Sequence, residues 1–274
     1  MSDSTATIEA LGGFDDPRCE PAVWNALLAR GGTDAPFLTW EWQKAWWASF
    51  DRSGLLLIGA SRDGDLLAVA PFFAEEGMIY FVGSGGSDYL DFIGDISAPE
   101  VLDGLLAHAK SRVPDFAGFR FYHVPDASPA AGLLRASALR LDLVMREDGV
   151  QSAPATRLGV DEKADSALTQ YASPAGWLRF TRIEADGRPI AFHFGLAYHG
   201  GFMWYKPAFA IDLARHSPGE VLLRQLLLRA IDERAHTFDF GLGDEPFKQR
   251  FATHTQTVRN FVLYSADGPA PELW

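Results

Sequence analysis

The fold is decided by one stretch of sequence, Tyr205-Lys-Pro-Ala-Phe-Ala-Ile-Asp-Leu-Ala-Arg-His-Ser-Pro-Gly-Glu-Val-Leu-Leu-Arg-Gln-Leu. An aromatic strand ends here, a loop follows, and an amphipathic helix is predicted over 219–235. The backbone N–H groups at a helix start have no partner within the helix, and the helix dipole is positive there, so this point suits phosphate oxygens. A second interpretation stays open, in which Ser217 and Pro218 only cap an ordinary helix.

A second informative stretch follows, Phe238-Asp-Phe-Gly-Leu-Gly-Asp-Glu-Pro-Phe-Lys-Gln-Arg-Phe. A strand predicted over 237–240 presents Asp239 near its end, and the two glycines let the backbone turn tightly. Glu245 and Lys248 come directly afterwards, so acidic and basic groups converge where the strand ends. This pattern favours a functional site, although a solvated network of ion pairs produces the same mixture of charges.

Two halves of the chain share one order of elements. Strand, Asp-Gly turn, strand, strand, loop, helix and strand follow each other over 55–124 and again over 177–240. Residues 146–176 are polar and poor in large apolar side chains, which predicts a connector. The sequence therefore predicts an α/β (α+β) fold with one lobe over 1–145 and another over 177–274. Two unrelated α/β stretches remain the alternative.

The composition excludes several classes of protein. With 274 residues, 47% hydrophobic and 22% charged, the chain is typical of a soluble globular protein. A net charge of −12 without a basic cluster argues against nucleic acid as a partner. Cys19 is the only cysteine, which excludes an intramolecular disulfide and favours a cytoplasmic location. We also expect no signal peptide, no integral membrane segment and, from the spacing of the seven histidines, no metal.

The segment 205–251 resembles the C-terminal half of the GNAT-like acyltransferases of cellulose and exopolysaccharide biosynthesis (the CelD-like family), which are themselves similar to Fem-type peptidyltransferases. The motifs that carry the resemblance are Ser217-Pro-Gly, Leu222-Leu, Asp239-Phe, Gly243-Asp-Glu and Phe247-Lys and, in the first half, Phe37-Leu-Thr-Trp-Glu-Trp, Gly64-Asp-Leu-Leu-Ala-Val-Ala-Pro-Phe and Ser87-Asp-Tyr-Leu-Asp. The stretch 146–176 departs from the family, because it is shorter and more polar. We therefore expect part of the wall that faces the acceptor in that family to be absent here.

The resemblance implies tandem GNAT-like lobes, each a mixed and mostly antiparallel sheet flanked by helices. It implies that the second lobe holds acetyl-CoA or another acyl-CoA as the acyl donor. The expected donor contacts are Arg215, His216, Ser217, Gly219 and Glu220 for the pyrophosphate and Met203, Tyr205 and Lys206 for the pantetheine arm and thioester.

The resemblance also implies roles for residues that carry out or support the transfer. Lys248 is expected to stabilise negative charge on the acceptor or in the tetrahedral intermediate. Asp239 or Glu245 is expected to accept the acceptor's proton. The expected acceptor contacts are Ser87, Asp88, Tyr89, Asp91 and His193. The alternative for Ser87, Asp88, Tyr89 and Asp91 is that they only form a flexible loop. The alternative for His193 is that it is a structural histidine.

Three functions remain open at this stage. The first is an acyl-CoA-dependent N- or O-acyltransferase, acting on an amino or hydroxyl group of a sugar or polysaccharide precursor. The second is aminoacyl transfer from charged tRNA, as in the Fem-type relatives, against which the net charge argues. The third is a catalytically silent GNAT-like module that binds a metabolite or a protein.

Overall fold

The structure is a computed structural model that describes residues 6–50, 53–157, 176–185, 187–268 and 270–272. The chain divides into two compact units. Unit 1 consists of Met1–Gln151 and Thr257–Trp274, and unit 2 of Ser152–Gln256. No helix in the described part of the chain is both long enough and apolar enough to cross a membrane.

Unit 1 is a mixed sheet with helices. Its strands follow the order β1-β2-β3-β4-β6-β12, with β5 paired to β3. The pair β4–β6 is parallel, whereas β1–β2, β2–β3, β3–β4 and β6–β12 are antiparallel. The bounds are β1 Thr7–Ala10, β2 Leu55–Arg62, β3 Asp65–Glu75, β4 Met78–Phe81, β5 Ile93–Gly94, β6 Gly118–Pro125, β12 His254–Ser265, α1 Pro21–Leu28, α2 Trp40–Phe50, α3 Pro99–Arg112 and α4 Pro129–Arg140.

The hairpin of β2 and β3 shows how local sequence determines this unit. Arg62 and Asp65 face each other across the turn, and the two residues between them, Asp63 and Gly64, have φ values of 53° and 90°. A two-residue hairpin turn needs such positive φ angles to match the twist of its strands, and Asp-Gly tolerates them better than other pairs. The hairpin predicted from the sequence is therefore confirmed.

The core of unit 1 is a cluster of aromatic rings at the end of the parallel pair β4–β6. Phe81 contacts Phe121 at a centroid distance of 4.6 Å and Phe92 at 5.2 Å, and Phe72 stacks on Phe121 at 5.5 Å. All four side chains are buried. Burying each ring contributes about 1.5–3 kcal/mol to the free energy of unfolding.

Unit 2 is a smaller sheet with the order β7-β11-β10-β9-β8. The pair β10–β11 is parallel, and the pairs β7–β11, β9–β10 and β8–β9 are antiparallel. Leu222, Leu223, Leu226 and Ala230 recur at helical spacing on α5 and pack in one core cluster with residues of the sheet. The bounds are β7 Leu143–Arg157, β8 Leu178–Ala185, β9 Arg188–Tyr198, β10 Gly201–Phe209, β11 Thr237–Asp239, α5 Pro218–Asp232 and α6 Pro246–Phe251.

The observed unit boundaries differ from the predicted lobes 1–145 and 177–274. Residues 146–157 of the predicted connector 146–176 form most of β7, and 158–175 lie outside the described residues. A polar segment forms a strand here because an antiparallel strand can leave one face in solvent. The end of the chain belongs to unit 1, since β12 pairs with β6 from Val258 to Tyr264.

We expect Phe121→Ala to lower the free energy of unfolding by about 3–5 kcal/mol, because it removes a ring that contacts several others and leaves a cavity. Leu139→Ala is the matched control. Leu139 is 75% exposed, so its loss should change stability by less than about 0.5 kcal/mol. Urea denaturation measures both values, and equal effects of the two substitutions would contradict the assignment of the core.

Candidate active site

Two parallel strands of unit 2 separate in the middle of the sheet. Strands β10 and β11 pair only over Gly201–Met203 and Thr237–Asp239. Strand β11 then ends, and the N–H of Phe240 donates to the carbonyl of Pro154 at 3.0 Å, so the chain continues alongside β7. Strand β10 runs on to Phe209. Beyond Met203, the edge of β10 that faced β11 therefore has no strand partner in the described part of the chain.

A β-bulge lies at the point where this pairing ends. Met203 faces Leu196 on β9, but Lys206 faces Phe194, so β10 contains one more residue than β9 over this interval. A bulge bends its strand, increases the local twist and redirects the side chains around it. The part of β10 after the bulge therefore runs in a different direction from Gly201–Met203.

A cavity of about 310 Å³ lies between the second half of β10 and the start of α5. Its volume is at the lower end of the range for small-molecule sites. Its wall is mostly apolar, and Glu220 is the one ionisable residue among the described residues that line it. The lining residues are Trp204, Pro207, Ala208, Phe209, Ala214, Ser217, Pro218, Gly219, Glu220, Leu222, Leu223 and Phe247.

The start of α5 forms one end of this cavity. Ser217 has a left-handed backbone, with φ at 50°, and its side chain makes no capping hydrogen bond. Its carbonyl accepts from the N–H of Glu220 at 2.9 Å and of Val221 at 3.2 Å. Pro218 has no N–H, so the first donor of the helix is the N–H of Gly219. The hydroxyl of Ser217 therefore does not cap the helix, although the second interpretation of the sequence expected it to.

The residues expected at a donor pyrophosphate fall into two groups. Ser217, Gly219 and Glu220 line the cavity, whereas Arg215 and His216 belong to the exposed 3-10 turn Ile211–His216 that precedes it. Arg215 donates through Nε to Nε2 of His216 at 3.0 Å. The carboxylate of Glu220 forms an ion pair with the guanidinium of Arg250.

The residues expected at a pantetheine arm lie on either side of the bulge. Met203 is buried, Tyr205 is half-buried and Lys206 is exposed, with its ammonium 4.3 Å from the centre of the Tyr205 ring. Trp204 lines the cavity, whereas Met203 and Tyr205 are not among the described residues that line it. Sequence reasoning missed Trp204, Phe209 and Phe247 as walls. Phe209 follows the bulge, where the alternation of side chains along β10 shifts by one residue.

Glu245 and Lys248, two of the three predicted catalytic residues, lie together at the start of α6, and Asp239 is the last residue of β11. Lys248 is buried, and its ammonium donates to the carbonyl of Leu242 at 2.6 Å and forms an ion pair with Glu245 at 2.8 Å. Burial by itself raises the pKa of Glu245, but the bond from Lys248 and the charge of its ammonium outweigh burial and lower the pKa. Glu245 is therefore ionised and a weaker base than an ordinary glutamate. Asp239 accepts from the N–H of Gly241 at 2.8 Å.

The predicted acceptor loop of unit 1 uses two of its side chains internally. Ser87 is buried, and its hydroxyl accepts from Nε1 of Trp42 at 3.0 Å. Asp91 is buried as well, and accepts from the hydroxyl of Thr33 at 2.6 Å. Burial raises the pKa of Asp91, and bonds to its carboxylate oppose that effect in part.

The other two members of this loop differ in exposure. Tyr89 is buried, with its ring 6.2 Å from that of Phe37, and Asp88 is half-buried. The predicted acceptor set is thus a mostly buried loop, with Asp88 as its most accessible side chain.

His193, the fifth predicted acceptor contact, lies in unit 2. Its ring is fully buried and stacks on the indole of Trp204 at a centroid distance of 5.0 Å. Burial lowers the pKa of His193 from its ordinary value of 6.5 to about 4. The imidazole is therefore neutral at physiological pH, and it contacts the cavity wall instead of lining the cavity.

We expect the stability of the protein to fall as the pH decreases from about 6.5 to about 4. The unfolded chain binds a proton at His193 in this interval and the folded chain does not, which favours unfolding by at most about 3 kcal/mol. His193→Gln should remove this part of the slope, whatever its effect at neutral pH. Urea denaturation at several pH values measures it, and parallel curves for the two proteins would refute it.

Comparisons with known proteins agree with this geometry. The model of the acetyltransferase (GNAT) domain family matches residues 106–249, just over half of the chain. The structure of FemX is similar at a TM-score of 0.55 and 11% identity, over 88% of this chain and 95% of that one. A tandem GNAT protein from the clavulanic acid biosynthesis pathway is similar at a TM-score of 0.52 and 15% identity, over 97% of this chain and 100% of that one. No curated protein matches at a significant level. The extent of the family match shows that the chain belongs to the acetyltransferase (GNAT) domain family.

Proposed function

We propose that the protein is an acyl-CoA-dependent N- or O-acyltransferase whose unit 2 binds the donor. The observation that supports this proposal most strongly is the cavity between the open edge of β10 and the start of α5. Backbone groups on that edge, which has no strand partner beyond Met203 among the described residues, suit the amide groups of a pantetheine arm. The apolar walls suit its methylene groups, and the N–H of Gly219 with the helix dipole suits the pyrophosphate.

Exposed cations near the helix start complement the charge of the donor. Lys206 and Arg215 are both exposed, on β10 and on the turn before α5. Glu220 would repel a pyrophosphate, but Arg250 compensates its charge. We therefore assign the phosphates to the N–H of Gly219 with Arg215, and the thioester end to the stretch from Met203 to Lys206.

The corresponding position of unit 1 supports a single donor site. There the parallel pair β4–β6 ends at Tyr80 and Arg120, and β4 itself ends one residue later. The rings of Phe81, Phe92 and Phe121 fill the space after it. A closed aromatic core at this point leaves no extended strand edge for a pantetheine arm, so we assign unit 1 to the acceptor.

The chemistry that we propose is direct transfer. The acceptor's amine or hydroxyl attacks the thioester carbonyl, the C–S bond breaks, and the thiolate of CoA leaves. Asp239 accepts the acceptor's proton in this proposal, since Glu245 is held in an ion pair with Lys248. Lys248 stabilises negative charge at the reacting centre, and Glu245 orients its ammonium.

For the acceptor, we propose a sugar or polysaccharide precursor, from the resemblance to the cellulose and exopolysaccharide enzymes. Asp88 is the loop side chain that we assign to its polar groups, because Ser87 and Asp91 are occupied by Trp42 and Thr33. The likeness to FemX favours a second candidate, transfer from an aminoacyl donor carried by tRNA. The net charge of −12 opposes the approach of a polyanion of that size.

Gly219→Asp tests the donor site without weakening the helix. A carboxylate in the first turn stabilises a helix through its dipole, but it repels the phosphates of CoA. We expect the affinity for acetyl-CoA to fall at least about tenfold, or about 1.4 kcal/mol. Gly219→Ala is the control, since its Cβ would lie 3.5 Å from the Phe209 ring and leave the N–H in place. Calorimetric titration with acetyl-CoA distinguishes them, and equal affinity of both variants would exclude this helix start as the pyrophosphate site.

Lys248→Met tests the proposed catalytic turn. We expect kcat to fall about a hundredfold or more, with the affinity for acetyl-CoA nearly unchanged, because the ammonium acts on charge that develops during transfer. Glu245→Gln removes the charge of the carboxylate but keeps the ammonium and an amide oxygen that can accept a hydrogen bond from it, so this variant should retain most of the turnover. Thiol release measures both rates, and an equal loss in the two variants would show that the ion pair only stabilises the turn.

A further inference from the structure

The side chain of His193 is held in a space that the sequence keeps free for it. Its ring stacks on Phe202 at 6.0 Å and on Trp204 at 5.0 Å, with interplanar angles of 19° and 16°. Gly195 lies beneath the ring, and a Cβ at that position would come within 1.9 Å of Cε1 of His193. Any other residue at Gly195 would therefore displace the imidazole.

One hydrogen bond determines the tautomer of this ring. Nε2 of His193 accepts from the backbone N–H of Tyr205 at 3.3 Å, so the proton of the neutral imidazole is on Nδ1. Nδ1 is buried and has no hydrogen-bond partner among the residues that the structure describes. A buried donor without a partner costs about 1–3 kcal/mol, so stability alone does not explain a histidine here.

The bonded N–H belongs to the bulge of β10. Trp204 and Tyr205 are the two residues of β10 for which β9 offers one position, Gly195. The imidazole of His193 thus accepts a hydrogen bond from one of the backbone groups that the bulge displaces, in place of a backbone group of β9. Trp204, which it also contacts, forms part of the cavity wall.

We propose that His193 is a positioning residue for the acyl donor, which fixes both the bulge of β10 and the indole of Trp204. The proposal rests on the proposed function, since the donor is the acyl-CoA assigned to this cavity. His193 acts through backbone and indole and makes no contact with the reacting atoms. The low pKa of the buried imidazole agrees with this role, because a protonated ring would lose the lone pair that accepts from Tyr205.

Two substitutions separate the hydrogen bond from the packing. His193→Phe keeps a flat ring for the stack and removes the acceptor. His193→Gln removes the ring and places an amide oxygen near the position of Nε2. Hydrogen exchange of the Tyr205 amide, measured by NMR in the full chain, reports on the bulge, and the exchange of Leu226 in α5 reports on unit 2 as a whole.

In His193→Phe we expect Tyr205 to exchange at least about tenfold faster and the Kd for acetyl-CoA to rise about tenfold, the effect of one lost hydrogen bond. Leu226 should exchange as before. His193→Gln should restore slow exchange of Tyr205 and most of the affinity. In the wild-type protein, the ¹⁵N shifts of the ring should show the Nδ1–H tautomer.

Unchanged exchange of Tyr205 and unchanged affinity in His193→Phe would overturn the proposal, as would an Nε2–H tautomer in the wild type. If His193→Phe fails to fold, His193→Gln decides: slow exchange of Tyr205 with tight binding supports the proposal, and fast exchange refutes it. Absence of acetyl-CoA binding in the wild type would instead reject the proposed function and the donor role, while the exchange of Tyr205 would still show whether His193 holds the bulge.

Discussion

The one-residue slip between β9 and β10 is the constraint on which the candidate site depends. Without it, β10 would continue straight beside β9, and the side chains after the slip, such as that of Phe209, would point to the opposite face, because neighbouring side chains alternate along a regular strand. The slip costs one regular pairing of backbone groups. The imidazole of His193 compensates in part, since it accepts from the displaced N–H of Tyr205. A side chain thus stabilises an irregular backbone, and the irregular backbone creates the cavity.

Two features of the cavity, its apolar walls and the helix start at one end, favour the same kind of ligand. Its walls are mostly apolar, and burial of apolar ligand surface stabilises a complex whichever way the ligand is oriented. The start of α5 adds direction, because the N–H of Gly219 and the helix dipole attract negative charge at one end only. A ligand with a neutral, flexible arm and a phosphorylated end meets both conditions, as an acyl-CoA does. A polyanion charged along its whole length meets only the second.

The sequence allowed regular elements to be predicted well and irregular ones poorly. Helix α5 was expected over 219–235 and forms over Pro218–Asp232, because apolar residues at helical spacing and the Ser-Pro-Gly start act locally. Strand β7 was missed, since its residues are polar and its stability comes from distant partners such as Thr237, which pairs with Arg157. The bulge was missed for a related reason: it is a relation between two strands, and alternation in one strand does not encode it. In the candidate site, the helix start could therefore be located from sequence, but the wall formed by Phe209, which follows the bulge, could not.

The two units show how one order of elements leads to different sites. Each contains a parallel pair of strands followed by a gap, β4–β6 in unit 1 and β10–β11 in unit 2. In unit 1 the first strand ends beside the gap and phenylalanine rings fill it, so the hydrophobic effect makes that region core. In unit 2 the first strand bulges and continues to Phe209, and its second half lines a cavity. At the bulge His193 accepts from the N–H of Tyr205, and Gly195 leaves room for the imidazole ring. A cavity in one unit and a closed core in the other therefore go together with the different course of one strand in each unit.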